Sequence, residues 1–353
     1  MLLIFVTFSL LVTVGVLSQL LNTAFGLWFT EIFGILAPAW ILLRLSGRDP
    51  VRWARASFPG WGPPAFGFLI GLVNFFLVVV PIQYFTTPLL PSGWKERFDA
   101  ARIFEQQTPV ELALILAGIS IAAPWCEEYA FRGVIQRGLV NPSRPGAGVL
   151  LTALIFSVFH LDPVGFLARV QLGVLFGVLV LKTGTIWPGV MAHAANNLLS
   201  SAIYLASRNS SPSSNDPRWQ AVAALAVAGV AWMLGLFHLI GRKPSLAPPV
   251  DEDSAPAMAP PGLLALAGPW FIAAVASMAA LLLLDRRGVQ LTLYDLAHRL
   301  PAVDASSSGE KQERDELRKL RMRARRGEIG LDLYFQQRQK LAEHLTPSKT
   351  QSR

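Results

Sequence analysis

Three clusters of polar residues are the most informative part of this chain: Glu127-Glu128-Tyr129-Ala130-Phe131-Arg132, Phe156-Ser157-Val158-Phe159-His160 and His193-Ala194-Ala195-Asn196-Asn197. Each cluster lies inside, or at the end of, a segment that is apolar enough to enter a lipid bilayer. Carboxylates and imidazoles in lipid cost free energy unless they are paired, so their presence there indicates function. We interpret the rest of the sequence as a scaffold for these residues or an appendage to them.

The composition of the chain is that of a membrane protein. Of its 353 residues, 52% are hydrophobic and 15% are charged, whereas soluble proteins carry about 25% charged residues. The apolar residues form long runs and not the short alternating segments of a membrane β-barrel. The sequence therefore predicts a polytopic α-helical membrane protein. Its single cysteine, Cys126, excludes an intramolecular disulfide, and we expect it to be a packing residue rather than a nucleophile.

The predicted fold is all-α, with a transmembrane bundle of about eight to nine hydrophobic helices and a helical, soluble C-terminal tail. The expected spans are 3–21, 25–43, 65–85, 110–126, 148–160, 170–181, 185–205, 221–240 and 263–284. Glu31 interrupts the second of these near its start, and we expect it at the membrane interface.

Charge gives a partial prediction of topology. The loop 44–62 holds four arginines and one aspartate, which favours the cytoplasmic side. Nine full spans would then place the basic tail on the other side. One segment is therefore expected not to span, and the short segment 170–181 is the best candidate.

Changes in composition divide the chain into six parts. They are N-terminal transmembrane helices and loops at 1–108, a core at 109–206, a further transmembrane helix at 207–240, a Pro/Ala-rich linker at 241–261, an additional transmembrane helix at 262–284 and a basic, partly helical tail of cytosolic type at 285–353. The tail holds 15 Lys and Arg against 10 Asp and Glu. This charge favours contact with anionic lipid over nucleic-acid binding, because no nucleic-acid motif accompanies it.

The first polar cluster contains a glutamate and an arginine that can form an ion pair. Glu128 and Arg132 are four residues apart and share a helix face, so the arginine can hold that carboxylate. Glu127 points about 100° away around the helix and stays available as a general base. The alternative is that both glutamates mark the end of a helix at the lipid headgroups.

The other two clusters add imidazoles and an amide. His193 and Asn197 are also four residues apart, so both can donate toward one point, and His160 ends another apolar segment. A glutamate with a histidine can activate water, and a histidine with an asparagine can stabilise an oxyanion, which together suit amide hydrolysis. Alternatively, Glu127, His160 and His193 can hold zinc, although the HExxH pattern of zinc proteases is missing. The spacing of these residues does not decide between a metal-free hydrolytic site and a zinc site.

Glu127-Glu128-xxx-Arg132, Phe156-xxx-His160 and His193-xxx-Asn197, in this order on successive hydrophobic helices, resemble the CPBP family of intramembrane proteases. That family contains the type II CAAX prenyl endopeptidases and bacteriocin-processing or self-immunity proteins, also called the ABI family. The resemblance covers residues 110–205 and implies an intramembrane endopeptidase.

The resemblance also implies a role for each matching residue. Glu127 is expected to activate water together with His160, while His193 and Asn197 form the oxyanion site. Glu128 and Arg132 are expected to orient the site. The family has been described as metal-dependent and as glutamate-dependent, and we favour the glutamate mechanism without a bound metal over zinc.

The expected partners are a membrane-associated peptide or protein substrate and the lipid bilayer, with no nucleic acid. The chain is rich in Ala, Leu, Arg and Pro, which indicates a bacterial protein of the cell (inner) membrane. Two other functions stay open: a non-catalytic membrane scaffold or bacteriocin-immunity protein that binds a partner peptide, and a proton- or metal-linked transporter. A transporter would favour discontinuous helices in matching halves, which the sequence does not show.

Residues 313–345 of the tail resemble a short helical-hairpin module found at the C-terminal ends of many bacterial proteins. The alternative is a solvated amphipathic helix, because dense Arg and Lys surround its apolar positions.

Overall fold

The computed structural model describes residues 2–91, 94, 95, 98, 103, 104, 107–208, 219–241, 268, 272, 275, 276, 279, 283, 285–298 and 308–345. In this part of the chain the secondary structure is helical, with no β-strand. The helices are α1 (Leu2–Leu21), α2 (Thr23–Leu45), α3 (Pro50–Trp53), α4 (Gly62–Leu89), α5 (Pro109–Leu139), α6 (Pro145–Phe159), α7 (Phe166–Thr183), α8 (Trp187–Arg208), α9 (Trp219–Gly241), α10 (Arg286–Ala297), α11 (Ser308–Arg325) and α12 (Leu331–Leu345).

Five of these helices, α1, α2, α4, α5 and α7, are long and apolar enough to cross a membrane. The prediction of an all-helical membrane protein is thus confirmed, whereas the predicted count of eight to nine spans is not. α6 and the described apolar part of α9 are shorter, and most of the predicted span 263–284 lies outside the described residues.

The segment expected not to span is longer than predicted. α7 covers 18 residues instead of the predicted 170–181, and it is among the five candidate spans. Two thirds of it is buried by its neighbours, and a left-handed Gly184 ends it. The sequence therefore underestimated α7, because Arg169 and Lys182, just outside the predicted span, lower the local hydropathy.

Helix boundaries follow from capping residues. The side chain of Asn22 accepts a hydrogen bond from Phe25 N, which separates α2 from α1. At the start of α5, Thr108 and Glu111 form a capping box and Pro109 occupies the first turn. Such caps satisfy amide groups that would otherwise lack partners at a helix start.

Two glycines bring α4 into backbone contact with α8. A Cβ added to Gly67 would lie 2.2 Å from the carbonyl oxygen of Pro188, and one added to Gly71 would lie 2.5 Å from that of Ala192. No real Cβ approaches an oxygen so closely, so only glycine allows this packing. The contact fixes the depth of α8, the helix that carries the third polar cluster.

The loop around α3 joins α5 to the start of α8. The Tyr129 hydroxyl donates to the Pro50 carbonyl at 3.0 Å. The Ile186 amide donates to the Arg55 carbonyl at 3.2 Å, and the Trp187 indole donates to the Ala56 carbonyl at 3.0 Å. The predicted basic loop is therefore part of the packed structure beside the polar clusters.

The C-terminal helices have their own apolar core and make polar contacts with the membrane helices. Leu291, Leu320, Ala324, Ile329 and Tyr334 form that core. Asp285 accepts hydrogen bonds from Asn22 and Arg325, both at 2.7 Å, and Arg325 also pairs with Glu111 at 2.6 Å. These contacts dock the tail at the α1–α2 turn and the start of α5.

The contact between α4 and α8 yields a stability prediction. Gly71→Ala is expected to destabilise the protein by about 1–3 kcal/mol, because the added methyl group meets backbone that cannot move aside. Thermal unfolding of the purified protein in detergent measures the effect. Gly235→Ala on α9 is the matched control, since nothing lies within 4 Å of its added Cβ. Equal unfolding midpoints for the two variants would contradict the assigned packing.

Candidate active site

The acidic cluster lies well inside α5. Glu127, Glu128 and Arg132 are 7%, 0% and 2% exposed. α5 continues to Leu139, beyond the predicted end of the span at residue 126. The alternative in which both glutamates mark a helix end at the headgroups is therefore wrong, because protein encloses both carboxylates.

The Arg132 side chain contacts an acidic residue, a backbone carbonyl and two aromatic rings. Its Nη1 pairs with Glu128 Oε1 at 2.8 Å, and its Nη2 donates to the Gly173 carbonyl of α7 at 3.2 Å. Its guanidinium lies over the rings of Phe156 and Phe176, at 4.4 and 5.2 Å from their centroids. Charge, a carbonyl and two aromatic faces thus compensate the loss of water around the guanidinium.

His193 joins the two glutamates. Its Nδ1 lies 3.2 Å from Glu128 Oε1, within hydrogen-bond distance, and its ring stacks on Phe176 with centroids 5.0 Å apart. An ionised carboxylate only accepts hydrogen bonds, so the Nδ1 proton points at Glu128. This leaves Nε2 facing Glu127 Oε2 at 3.8 Å. Glu128 therefore orients the imidazole that Glu127 faces.

His160 approaches the same carboxylate from the end of α6. Its Nδ1 donates to the Phe156 carbonyl at 2.9 Å, because a carbonyl oxygen can only accept. Its Nε2 then faces Glu127 Oε1 at 4.0 Å. Glu127 thus has one imidazole nitrogen near each of its oxygens.

Asn197 lies one turn beyond His193 on α8. Its Nδ2 donates one hydrogen bond to the Ile119 carbonyl of α5 at 2.9 Å, and its Oδ1 accepts one from Asn196 at 3.2 Å. These two bonds fix the orientation of the amide. The amide carries a second N–H, which these contacts do not use.

These side chains line one cavity of about 460 Å³. Glu127, His160, His193 and Asn197 are among its polar residues, and its apolar walls include Leu27, Val79, Ile119, Phe156, Leu172 and Phe176. The structure therefore brings the three sequence clusters together: four of the six predicted residues line the cavity, and Glu128 and Arg132 support them.

The cavity also contains an acidic residue that was expected at the membrane interface. Glu31, expected at the membrane interface, is only 7% exposed and lines the cavity. It lies in a π-helical stretch of α2, and its Oε2 has no hydrogen-bond partner. The sequence did contain a signal for this position, because an acidic residue inside an apolar run indicates function. Hydropathy alone, however, does not distinguish a residue at the membrane interface from a residue in a buried cavity.

Asn196 and Arg169 also line the cavity and were not predicted as site residues. Asn196 is buried, and its Oδ1 has no hydrogen-bond partner. Arg169 pairs with Asp162 at 2.7 Å, while Asp162 also accepts from the amides of Val164 and Gly165. The expected turn at Asp162-Pro163 is therefore present, and its aspartate also holds the arginine.

The donor set proposed for zinc was Glu127, His160 and His193. In the described part of the chain, no three or more His, Cys, Asp or Glu side chains are arranged so that they can hold a metal ion. Each imidazole faces the carboxylate itself, at 3.8 and 4.0 Å. We therefore derive no step through a metal.

Comparison with known proteins finds a similarity in the core of the chain. Residues 109–199 match a family model described as "Type II CAAX prenyl endopeptidase Rce1-like". No curated protein and no solved structure matches the chain. The matched segment contains all six candidate residues, and with the five apolar helices it identifies an integral membrane protein. Residues 109–199 are thus similar to the Rce1-like type II CAAX prenyl endopeptidases.

Proposed function

We propose that the chain is an endopeptidase that hydrolyses a peptide bond of a membrane-associated substrate with a water molecule activated by Glu127 and His160. One observation carries the proposal: the two oxygens of Glu127 lie 4.0 Å from His160 Nε2 and 3.8 Å from His193 Nε2. Such distances are too long for direct hydrogen bonds and suit a bridging water. The Rce1-like match independently supports peptidase activity.

Glu127 is the proposed general base. Its neighbour Glu128 is neutralised by Arg132, whereas the ion-pair contacts of Glu127 in the described residues are with the two imidazoles. A water between Glu127 and His160 gives one hydrogen to the carboxylate and directs the other at His160 Nε2. An oxygen lone pair is then free to attack the substrate carbonyl carbon.

Asn197 and His193 are the proposed oxyanion donors. When water attacks, the carbonyl oxygen gains negative charge, and the second N–H of Asn197 can donate to it. His193 donates through Nε2 when that nitrogen carries a proton. As the intermediate collapses, the C–N bond breaks and the proton held by Glu127 passes to the leaving amine.

Glu128 and Arg132 act through other residues. Arg132 holds Glu128, Glu128 holds His193 Nδ1, and His193 is thereby aimed at the reaction centre. Precise placement of this kind lowers the barrier without any contact between the arginine and the substrate. We therefore assign both residues a positioning role.

We propose that this chemistry proceeds without a bound metal, and that the protein acts in a bacterial cell (inner) membrane. The apolar walls of the cavity support a substrate that enters from the bilayer as an extended peptide. The proposed partners are thus the substrate and the surrounding lipid.

The assignment of the base is tested with an isosteric variant. Glu127→Gln is expected to lower kcat by about 10²–10⁴-fold, because an amide cannot accept a proton. The measurement is cleavage of a membrane-peptide library by purified protein, with and without a chelator. Activity of the wild type that persists with chelator supports the metal-free reaction, and activity that disappears supports zinc.

Glu31→Gln is the matched control for Glu127→Gln, since it removes another buried carboxylate from the same cavity. It is expected to lose far less activity, because no histidine contact of Glu31 is seen in the described residues. Full activity of Glu127→Gln would reject the proposed base. Peptide binding without cleavage by any form would favour the scaffold function instead.

The oxyanion site is tested by a separate substitution. Asn197→Ala is expected to lower kcat by about 10²–10³-fold with little change in KM, because the lost hydrogen bond forms only as charge develops. Steady-state kinetics on one cleaved peptide separates the two constants. Ser200→Ala, on the same helix and cavity wall, is the control. A change confined to KM would show that Asn197 binds substrate rather than the transition state.

A further inference from the structure

We propose that a second cavity, behind Arg132, binds the phosphate group of an anionic lipid headgroup. This site goes beyond the proposed peptidase activity and does not depend on it. The cavity measures about 270 Å³, near the lower end of small-ligand sites. It therefore suits a headgroup rather than a whole lipid.

The lining of this cavity is basic on one side and apolar on the other. Arg55, Arg132 and Arg137 all line it, and Val140, Val180 and Leu181 are among its apolar residues. No acidic residue lines it in the described part of the chain. A lining with three guanidinium groups and no described carboxylate complements an anion.

Arg132 gives this cavity an unused donor that is almost fully buried. Its Nη1 and Nη2 bond to Glu128 and the Gly173 carbonyl, while its Nε–H has no hydrogen-bond partner. The side chain is 2% exposed. A buried donor without a partner is costly, and an anion in the adjoining cavity would satisfy it.

Arg137 is held in position at the same cavity. Its guanidinium lies 3.8 Å from the centroid of the Trp53 ring and donates to the Trp53 carbonyl. Arg48 packs on the same ring at 3.4 Å. The arginine therefore loses little conformational freedom when it binds a ligand. Guanidinium groups suit phosphate because their planar fork matches two phosphate oxygens.

The position of the cavity favours lipid as the source of the phosphate. The ends of α5 and α7 flank it, together with Trp53, and Trp and Arg are typical of the membrane–water interface. Basic pockets between transmembrane helices bind anionic headgroups. The apolar residues Val180 and Leu181 suit the glycerol and upper acyl chain, which free phosphate lacks.

The site has a consequence for the catalytic cavity. Arg132 is shared, since it lines the lipid cavity and holds Glu128, which in turn orients His193. An anion at the Arg132 Nε fixes the guanidinium from a further direction. Bound lipid is thus expected to order the positioning residues of the peptidase site.

The test is lipid binding by native mass spectrometry of the full-length protein in detergent. Wild type is expected to retain phosphatidylglycerol in preference to phosphatidylcholine. Arg137→Gln is expected to weaken phosphatidylglycerol binding about tenfold, as the loss of a charge-assisted hydrogen bond implies. Arg144→Gln, which removes an exposed arginine from the neighbouring turn, is expected to leave it unchanged.

Two further arms keep the test decisive. Arg137→Lys keeps the charge and is expected to restore part of the preference, and Arg55→Gln replaces Arg137→Gln if the latter elutes as an aggregate. Inorganic phosphate that displaces bound phosphatidylglycerol assigns the site to phosphate in general, and its failure to do so assigns the site to the lipid. Equal phosphatidylglycerol binding by wild type and the Arg137→Gln and Arg55→Gln variants, or no preference over phosphatidylcholine, would overturn the proposal.

Discussion

Glu128 and Arg132 form an ion pair with no exposure of either side chain, and the arrangement of four helices follows from what this pair requires. Burial of two charges costs several kcal/mol per ion, and their attraction repays this only when further hydrogen bonds complete the pair. α7 supplies the Gly173 carbonyl and the Phe176 ring, α6 supplies the Phe156 ring, and α8 supplies His193. The helices that satisfy the pair therefore also line the cavity, together with α2 and α4.

The pair also gives two adjacent glutamates different functions. On one helix, Glu128 points at Arg132 and is neutralised, while Glu127 points at the cavity and meets only imidazoles among its described ion-pair contacts. A single acid in this position would have to orient the histidine and accept a proton at once. The doubled glutamate separates orientation from proton transfer, and the turn of the helix enforces the separation.

The sequence predicted these local relations because they depend on helical period alone. The spacing of Glu128 and Arg132 was enough to predict their pairing, whereas a common site for the three clusters was expected from their occurrence in one apolar stretch together with the family resemblance. The boundaries of the spans were harder to predict. The polar residues after position 126 are buried by protein instead of lying in water, so α5 continues past the point where hydropathy predicted its end. Glu31 was assigned to the interface for the same reason: its surroundings come from other helices, which a hydropathy profile does not contain.

The two cavities differ in their charged residues, since acidic side chains line only the catalytic cavity among the described residues. Glu127 and Glu31 line the catalytic cavity, while Arg55 and Arg137 line the second one. The loop that carries Arg55 also binds the start of α8 through the Arg55 and Ala56 carbonyls, and α8 carries His193 and Asn197. A ligand in the second cavity therefore reaches the reaction centre by two routes, through the Arg132 guanidinium and through the backbone that sets the start of α8. The proposed lipid site and the geometry of the reaction centre are thereby joined through Arg132 and through the loop that carries Arg55.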